Sequence, residues 1–409
     1  MGEPRPRRPA LGVLIVAPRE FRLPALTYQG PGSSVQMAEW ARQQGGPGWL
    51  IAGASPDRFT APLAALEQAN LDYTRVSVAR EPTFDDLREL VGRFAANDPQ
   101  WIIALGGGSV IDTAKAAAML LTNGGDPLDY AEVIGAGRPI LHPALPVLAV
   151  PTTAGAGAEA TRNAVLRDPG HGAKVSLRSP HLIPAAVILD PELTCGLPPE
   201  QTAATGMDAL AQLLEAFVSH RANPWTDALC RAGIPLVLRA LERACTHGDD
   251  LEARADMQWA AYWSGIALTN AGLGAVHAFA AAVGGRVPVP HGLVCAHVLV
   301  PVCRANLRAA RAANREHEQT LQRFREWARW MGSDSGDPDE ALDQLSAWAE
   351  RLPLSSLPAK EFANLPVDDV VKATQATSSM RGNPVQLTDA DLASIWREVC
   401  ATANDHTGA

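Results

Sequence analysis

The chain has 409 residues, too many for one ordinary hydrophobic core, so two domains are expected. Hydrophobic residues make up 47% and charged residues 19%, which excludes a disordered chain. The net charge of −9, from 35 basic and 44 acidic side chains, argues against a nucleic-acid partner, because phosphate binding wants a basic face.

Arg5, Arg7 and Arg8 cluster at the N-terminus beside prolines and read as a frayed, solvated end. That end lacks an apolar run followed by a small-residue cleavage site, so no signal peptide is expected. No apolar stretch approaches the roughly 20 residues of a membrane span. A cytoplasmic protein without membrane contact is the expectation. Six cysteines (Cys195, Cys230, Cys245, Cys295, Cys303 and Cys400) are scattered, with no CxxC pair. They suggest neither a zinc ribbon nor a disulfide framework, and read as small core residues in a reducing compartment.

In chain order, Gly30-Pro31-Gly32-Ser33 precedes an amphipathic helix, and GWLIA (48–52) is a short apolar strand. A helix is expected over 58–69 and an alternating strand at YTRVSV (73–78). A helix over 83–96 follows, with Asp85 and Asp86 near its N-terminus. WIIAL (101–105) is a buried strand that runs into Gly106-Gly107-Gly108-Ser109 and then a helix over 110–121. PVLAV (146–150) and AAVIL (185–189) are further strands. This alternation predicts a parallel sheet covered by helices. From 199 onward helical stretches dominate: 207–218, 225–244 with a break or kink at Pro235, 253–268 and 316–330. An exposed loop is expected at 332–339. The division falls near 195: an α/β dinucleotide-binding domain over 1–195, and an all-helical metal and substrate domain over 196–409.

The segment WIIALGGGSVIDTAK (101–115) carries the strongest local signal. Gly106, Gly107 and Gly108 let backbone amides approach an anion with no Cβ in the way. The helix N-terminus adds free N–H groups and a positive dipole end, which suits a pyrophosphate. Ser109 either caps the helix or donates to a phosphate oxygen. Asp112 and Lys115 lie three apart on that helix. A second loop, PTTAGAGAEAT (151–161), follows another strand and offers Thr152 and Thr153. Ligands of open parallel sheets sit off the carboxyl ends of strands, so two such loops can flank one dinucleotide. The Gly30–Ser33 turn is a third, weaker candidate.

In the helical half, Asp208 and Gln212 are four apart on one helix face. With His277 and His291 they form a ligand set for a divalent first-row metal, Gln212 being the unusual neutral member. A core histidine and a capping aspartate are the commoner alternative for such residues. Phe279, Trp259 and Trp263 can wall an apolar pocket or fill the core.

Taken together, GGGSVIDTAK (106–115), PTTAGAGAEAT (151–161), KVSLRSPHLIPAAVILDPEL (174–193), ATGMDAL (204–210) and GLGAVH…PHG (272–292) resemble the iron-containing, group III alcohol dehydrogenases. The resemblance spans about 25–400 and includes SSMRGNP (378–384). It implies a dehydroquinate-synthase-like fold with the active site between the two halves. It implies hydride transfer between NAD or NADP and a small-molecule alcohol or carbonyl, and commonly a homo-oligomer, often a dimer. In the family Gly106, Gly107, Gly108 and Ser109 would hold the pyrophosphate, with Asp112 close by. Thr152 and Thr153 would contact the adenosine side, and Lys174 the cofactor ribose.

The resemblance also implies a bound divalent metal, iron or zinc, on Asp208, His277 and His291. The family's second ligand, a histidine, is replaced here by Gln212, which can offer only a carbonyl oxygen. The position where relatives often carry a proton-relaying histidine is Ala281. Maleylacetate reductases of this family work without metal, so a metal-independent enzyme is one alternative; a degenerate nucleotide-binding protein is another. A dehydroquinate-synthase-type lyase needs a more cationic cleft, and 199–214 contains no Lys or Arg. A carboxylate at the end of the strand over 49–52 would favour NAD; Gly53-Ala54-Ser55 follows instead, with Asp57 beside Arg58, so NADP is allowed.

Overall fold

A computed structural model describes residues 20–405, apart from 133 and 171; the Arg5, Arg7 and Arg8 cluster lies outside the described residues. The chain runs β1 (Leu26–Gln29), α1 (Gln36–Gln44), β2 (Gly48–Gly53), α2 (Thr60–Gln68), β3 (Tyr73–Val78), α3 (Phe84–Phe94), β4 (Trp101–Gly106) and α4 (Gly108–Asn123). β5 (Val147–Pro151), the hairpin β6 (Asn163–Asp168) and β7 (Ala173–Arg178), and β8 (Ala186–Leu189) complete the strands. β1, β8, β5, β4, β2 and β3 form one parallel sheet in that spatial order, while β6 and β7 pair antiparallel by themselves.

The central strands are buried on both faces, as their unbroken apolar runs require. Ile103, Leu105, Leu148 and Val150 face α1 and α2 through Met37, Trp40, Leu63 and Leu66. The alternate residues Ile102, Ala104, Val147 and Ala149 pack with α3 and α4. Thr83 caps α3 with a reciprocal capping box to Asp86, which fixes where that helix begins.

The second half is helical: α5 (Pro199–Val218), α6 (Pro224–Thr246), α7 (Leu251–Ala271), α8 (Ala275–Gly284), α9 (His291–Ala312), α10 (Glu318–Trp330), α11 (Pro338–Ala349), α12 (Ala359–Ala363), α13 (Val367–Ala376) and α14 (Asp389–Asp405). α5 is buried over almost its whole length and packs against α6, α7 and α9. Of the expected break or kink at Pro235, the break does not occur: α6 runs through it as one helix, packed on α5 and α7. The loop after α10 is shorter than expected: Asp337 caps α11, which starts at Pro338.

α9 corrects another expectation. It is long and apolar enough to cross a bilayer, but 72% of its apolar window is buried inside the protein. It is a core helix of the helical half. The loop after β5 joins the halves. Gly157 has φ +62°, and a Cβ there would stand 2.6 Å from the Cα of Gly265 on α7. Two bare backbones therefore meet at that point.

Candidate active site

A cavity of about 1000 Å³ lies where the carboxyl edge of the sheet meets the helical half. Gly107, Gly108, Ser109, Asp112, Thr153 and Lys174 line it from the first half. Asp208, Gln212, His277, Ala281 and His291 line it from the second.

On the sheet side, α4 starts directly after β4. Its cap is Gly107, with no side-chain capping bond, so Ser109 sits inside the first turn and is not the cap. Gly108 and Ser109, in that first turn, have no carbonyl four residues back for their N–H groups. Gly106 is set back from the cavity, and a Cβ there would lie 2.5 Å from Val110 Cγ2. Its role is to let α4 approach the strand, whereas Gly107 and Gly108 face the open space. Thr153 stands beside Gly107. Thr152 is buried and off the cavity wall, its backbone N–H donating to Gly106 O at 3.1 Å.

Asp112 is paired with the fully buried Lys115 at 3.0 Å and accepts from Val165 N at 3.1 Å. Lys115 Nζ also donates to Ala158 O (2.8 Å) and Thr161 Oγ1 (3.0 Å). Lys115 thus ties α4 to the loop after β5. Lys174, on β7, is ion-paired with Glu81.

The Gly30–Ser33 turn is not a phosphate site. Asp190, fully buried, accepts from Gly32 N (3.1 Å) and Ser34 N (2.9 Å), so those amides already hold an anion. Phe279 stacks on Trp396, and Trp259 packs on Trp263; neither set lines the cavity.

At the helical wall, α5 presents Asp208, α8 presents His277, and His291 opens α9. Asp208 Oδ1 lies 3.1 Å from His277 Nε2 and 3.9 Å from His291 Nε2. His277 Nδ1 is 2.7 Å from Glu215 Oε2, and Glu215 Oε1 accepts from Val276 N at 2.7 Å. Cys295, one helical turn beyond His291, completes a group whose ligand atoms all lie within 4.8 Å of one another. Ligand bonds of about 2.0–2.3 Å put the donors around one tetrahedral ion roughly 3.3–3.8 Å apart, so these residues fit a cation.

The charges agree with that fit. Burial opposes charge on Asp208, but the hydrogen bond from His277 and the nearby imidazoles outweigh it and hold the carboxyl below its ordinary range. Burial likewise opposes charge on His277. Cys295, Asp208 and Glu215 outweigh it and hold the imidazolium well above its ordinary range. The group thus favours positive charge on the Nε2 side of His277, beside Asp208, with Glu215 behind the ring. Enclosure pulls His291 down to about 4, although 34% of its side chain faces open space. It is neutral at pH 7, with a lone pair to give. Burial pushes the Cys295 thiol up to about 12.

Gln212 stands differently from the sequence expectation. Its Oε1 accepts from Ser264 Oγ at 2.6 Å, and its Nε2 donates to Ala156 O at 3.3 Å. Both ends of the amide are engaged in joining α5, α7 and the loop after β5. Glu215 and Cys295 escaped the sequence reading as site residues. The available signals were spacing: Glu215 lies seven after Asp208, and Cys295 four after His291, each on the same helix face.

This arrangement sets a parallel sheet with free helix-end N–H groups against buried acid and imidazole groups across one cavity, the form of an enzyme active site. A profile of iron-containing alcohol dehydrogenase matches residues 24–191, and one of the Fe-containing alcohol dehydrogenase family, C-terminal, matches 202–400. Alcohol dehydrogenase 4 of Saccharomyces cerevisiae is 34% identical over 332 residues, covering 80% of this chain and 83% of that one. A 1-propanol dehydrogenase of Salmonella typhimurium is 36% identical over 302 residues, covering 72% and 75%. The solved alcohol dehydrogenase from Oenococcus oeni superposes with a TM-score of 0.83 at 30% identity, covering 93% of this chain and all of that one.

The chain belongs to the iron-containing alcohol dehydrogenase family. It is an oxidoreductase acting on CH–OH groups, in a family that uses NAD(P) and a metal. A metal-independent reductase is not favoured.

Proposed function

We propose that the enzyme interconverts small alcohols with their aldehydes or ketones, binding NAD(P) at the loop after β4 and a divalent metal at Asp208, His277 and His291. The observation that carries this reading is the shared cavity, which puts Gly107, Gly108 and Ser109 in one space with those three side chains. Gly107, Gly108 and Ser109 would hold the pyrophosphate, with Asp112, Thr153 and Lys174 lining the same cavity for the rest of the cofactor. The halves divide near residue 195, between β8 and α5. Among the described residues β1 pairs only with β8 and Leu26 is 41% exposed, which supports a homo-oligomer. A cytoplasmic location completes the reading.

A divalent metal held by Asp208, His277 and His291 would supply Lewis-acid stabilisation of charge on a substrate oxygen, and a bound nicotinamide would supply the hydride chemistry. The chain's own residues prepare both. Glu215 holds the Nδ1 proton of His277, so Nε2 is the nitrogen that faces the ion. His291 is neutral and needs no deprotonation. Asp208 brings negative charge from a buried position. Ala281 lines the cavity and offers no group to relay a proton. The sheet and helix walls align donor and acceptor carbons.

Small substrates are supported by the relative that is a 1-propanol dehydrogenase. For the cofactor, Asp57 is engaged by Arg75 at 3.0 Å and no carboxylate directly ends β2, so either NAD or NADP fits. The test is a panel of small aldehydes, ketones and alcohols assayed with both cofactors, alongside bound-metal analysis. Turnover of a short-chain member is expected. Tight dinucleotide binding by fluorescence with no turnover across the panel would count against the proposal.

A further inference from the structure

We infer that Cys295 is a metal ligand in this enzyme, making an Asp208–His277–His291–Cys295 set that prefers zinc to ferrous iron. The inference rests on the metal reading above and names the fourth protein donor, which that reading leaves open.

Three observations carry it. First, the neutral candidate is already committed: the Gln212 carbonyl oxygen accepts from Ser264 and its amide donates to Ala156. Second, the Cys295 sulfur lies within 4.8 Å of the ligand atoms of Asp208, His277 and His291, on the same face of α9 as His291. The pair of ligands one turn apart is thus supplied by α9 rather than α5. Third, Cys295 is fully buried and does not line the cavity, whereas Asp208, His277 and His291 do. The thiolate would bind from beneath the ion and leave its cavity side open for a substrate oxygen.

The consequence is a change in donor chemistry. Asp208 alone contributes one negative charge; a thiolate adds a second and is a softer donor than an amide oxygen or imidazole. Zinc takes Cys, His and carboxylate ligands together, and catalytic zinc sites expand from four to five ligands during reaction. A soft donor widens the preference for zinc over ferrous iron that nitrogen and oxygen ligands already give.

The test uses full-length protein stripped by chelator and titrated with cobalt(II), whose bond to thiolate gives an intense near-ultraviolet charge-transfer band. The wild-type protein is expected to bind one cobalt per chain and show the band. Cys295→Ser should lose the band and weaken cobalt binding by at least the 10–100-fold typical of lost outer-shell partners. Gln212→Ala should keep the band. With equimolar zinc and ferrous iron, the wild type should take zinc in larger excess than Cys295→Ser does.

If Cys295→Ser does not fold, X-ray absorption on the zinc-loaded wild type decides. One sulfur at about 2.3 Å supports the assignment, and a shell of nitrogen and oxygen alone overturns it. Cobalt bound without the band, and equally well by Cys295→Ser, overturns the thiolate while sparing the three-residue site. No cobalt bound by the wild type overturns both.

Discussion

Glu215 and Asp208, seven residues apart on α5, bracket one imidazole: Glu215 Oε2 lies 2.7 Å from His277 Nδ1, and Asp208 faces the other nitrogen. A single rigid helix therefore sets both the tautomer of His277 and the anion next to it. Glu215→Gln keeps the side chain's size but removes the charge behind the ring. Metal affinity is expected to fall about 10–100-fold. Titration of the stripped protein measures this, and an unchanged affinity would remove Glu215 from the site.

Asp208→Asn separates metal chemistry from cofactor binding. The loss of the carboxylate should lower kcat by about 10²–10⁴, the equivalent of several kcal/mol of charge stabilisation. The dinucleotide, held on the other wall, should keep its dissociation constant within about twofold. Fluorescence titration beside initial rates tests both halves of the statement.

The glycines after β4 divide by role. Gly106→Ala places a methyl 2.5 Å from Val110 and should cost about 1–3 kcal/mol of stability. Gly108→Ala meets Ala156 at 3.4 Å and Ala158 at 4.0 Å, both ordinary contacts, so its melting temperature should hold. Its added methyl covers phosphate-facing backbone, and cofactor affinity should fall about tenfold, or 1.4 kcal/mol. Thermal unfolding and cofactor titration of the two variants should give opposite patterns.

Glu159, buried in the loop after β5, gives a pH signature away from the metal group. Burial raises its pKa from 4.5 to about 7, with Lys115 opposing and Asp112 adding to the rise. The folded state thus binds more protons than the unfolded state between these values, so Glu159 costs stability as pH rises from about 4.5 to 7, and the cost is constant above that. Glu159→Gln removes the titration. Its stability relative to the parent should climb across that window by about 1–3 kcal/mol and then level off. Denaturant unfolding at pH 5, 6, 7 and 8 shows the trend or its absence.

What the sequence reveals follows from local physics. β4, its glycines and α4 are legible because a buried apolar run changes abruptly to helical spacing at a turn that only small residues allow. β1 is not: LTYQ is four residues long with no clean alternation, and its pairing with β8 bridges some 160 residues. The β6–β7 hairpin hides because it pairs outside the main sheet and β6 (NAVLRD) carries no clean polar alternation of its own. Asp208, His277 and His291 could be grouped as candidate ligands from residue type and firmly only through family resemblance, since no spacing rule joins residues so far apart in the chain. Gln212 stood in the expected ligand place, but its partners Ser264 and Ala156 come from a different helix and loop, which only the folded chain brings near. Cys295 looked like any small core residue because its apolar neighbours on α9 mask the polar cluster it touches.

The most direct measurement is alcohol oxidation by protein stripped of metal and then restored. The account predicts that the stripped enzyme still binds NAD(P) but does not transfer hydride, and that one equivalent of divalent metal per chain brings turnover back. Full turnover by a metal-free preparation, unaffected by chelator, would contradict it.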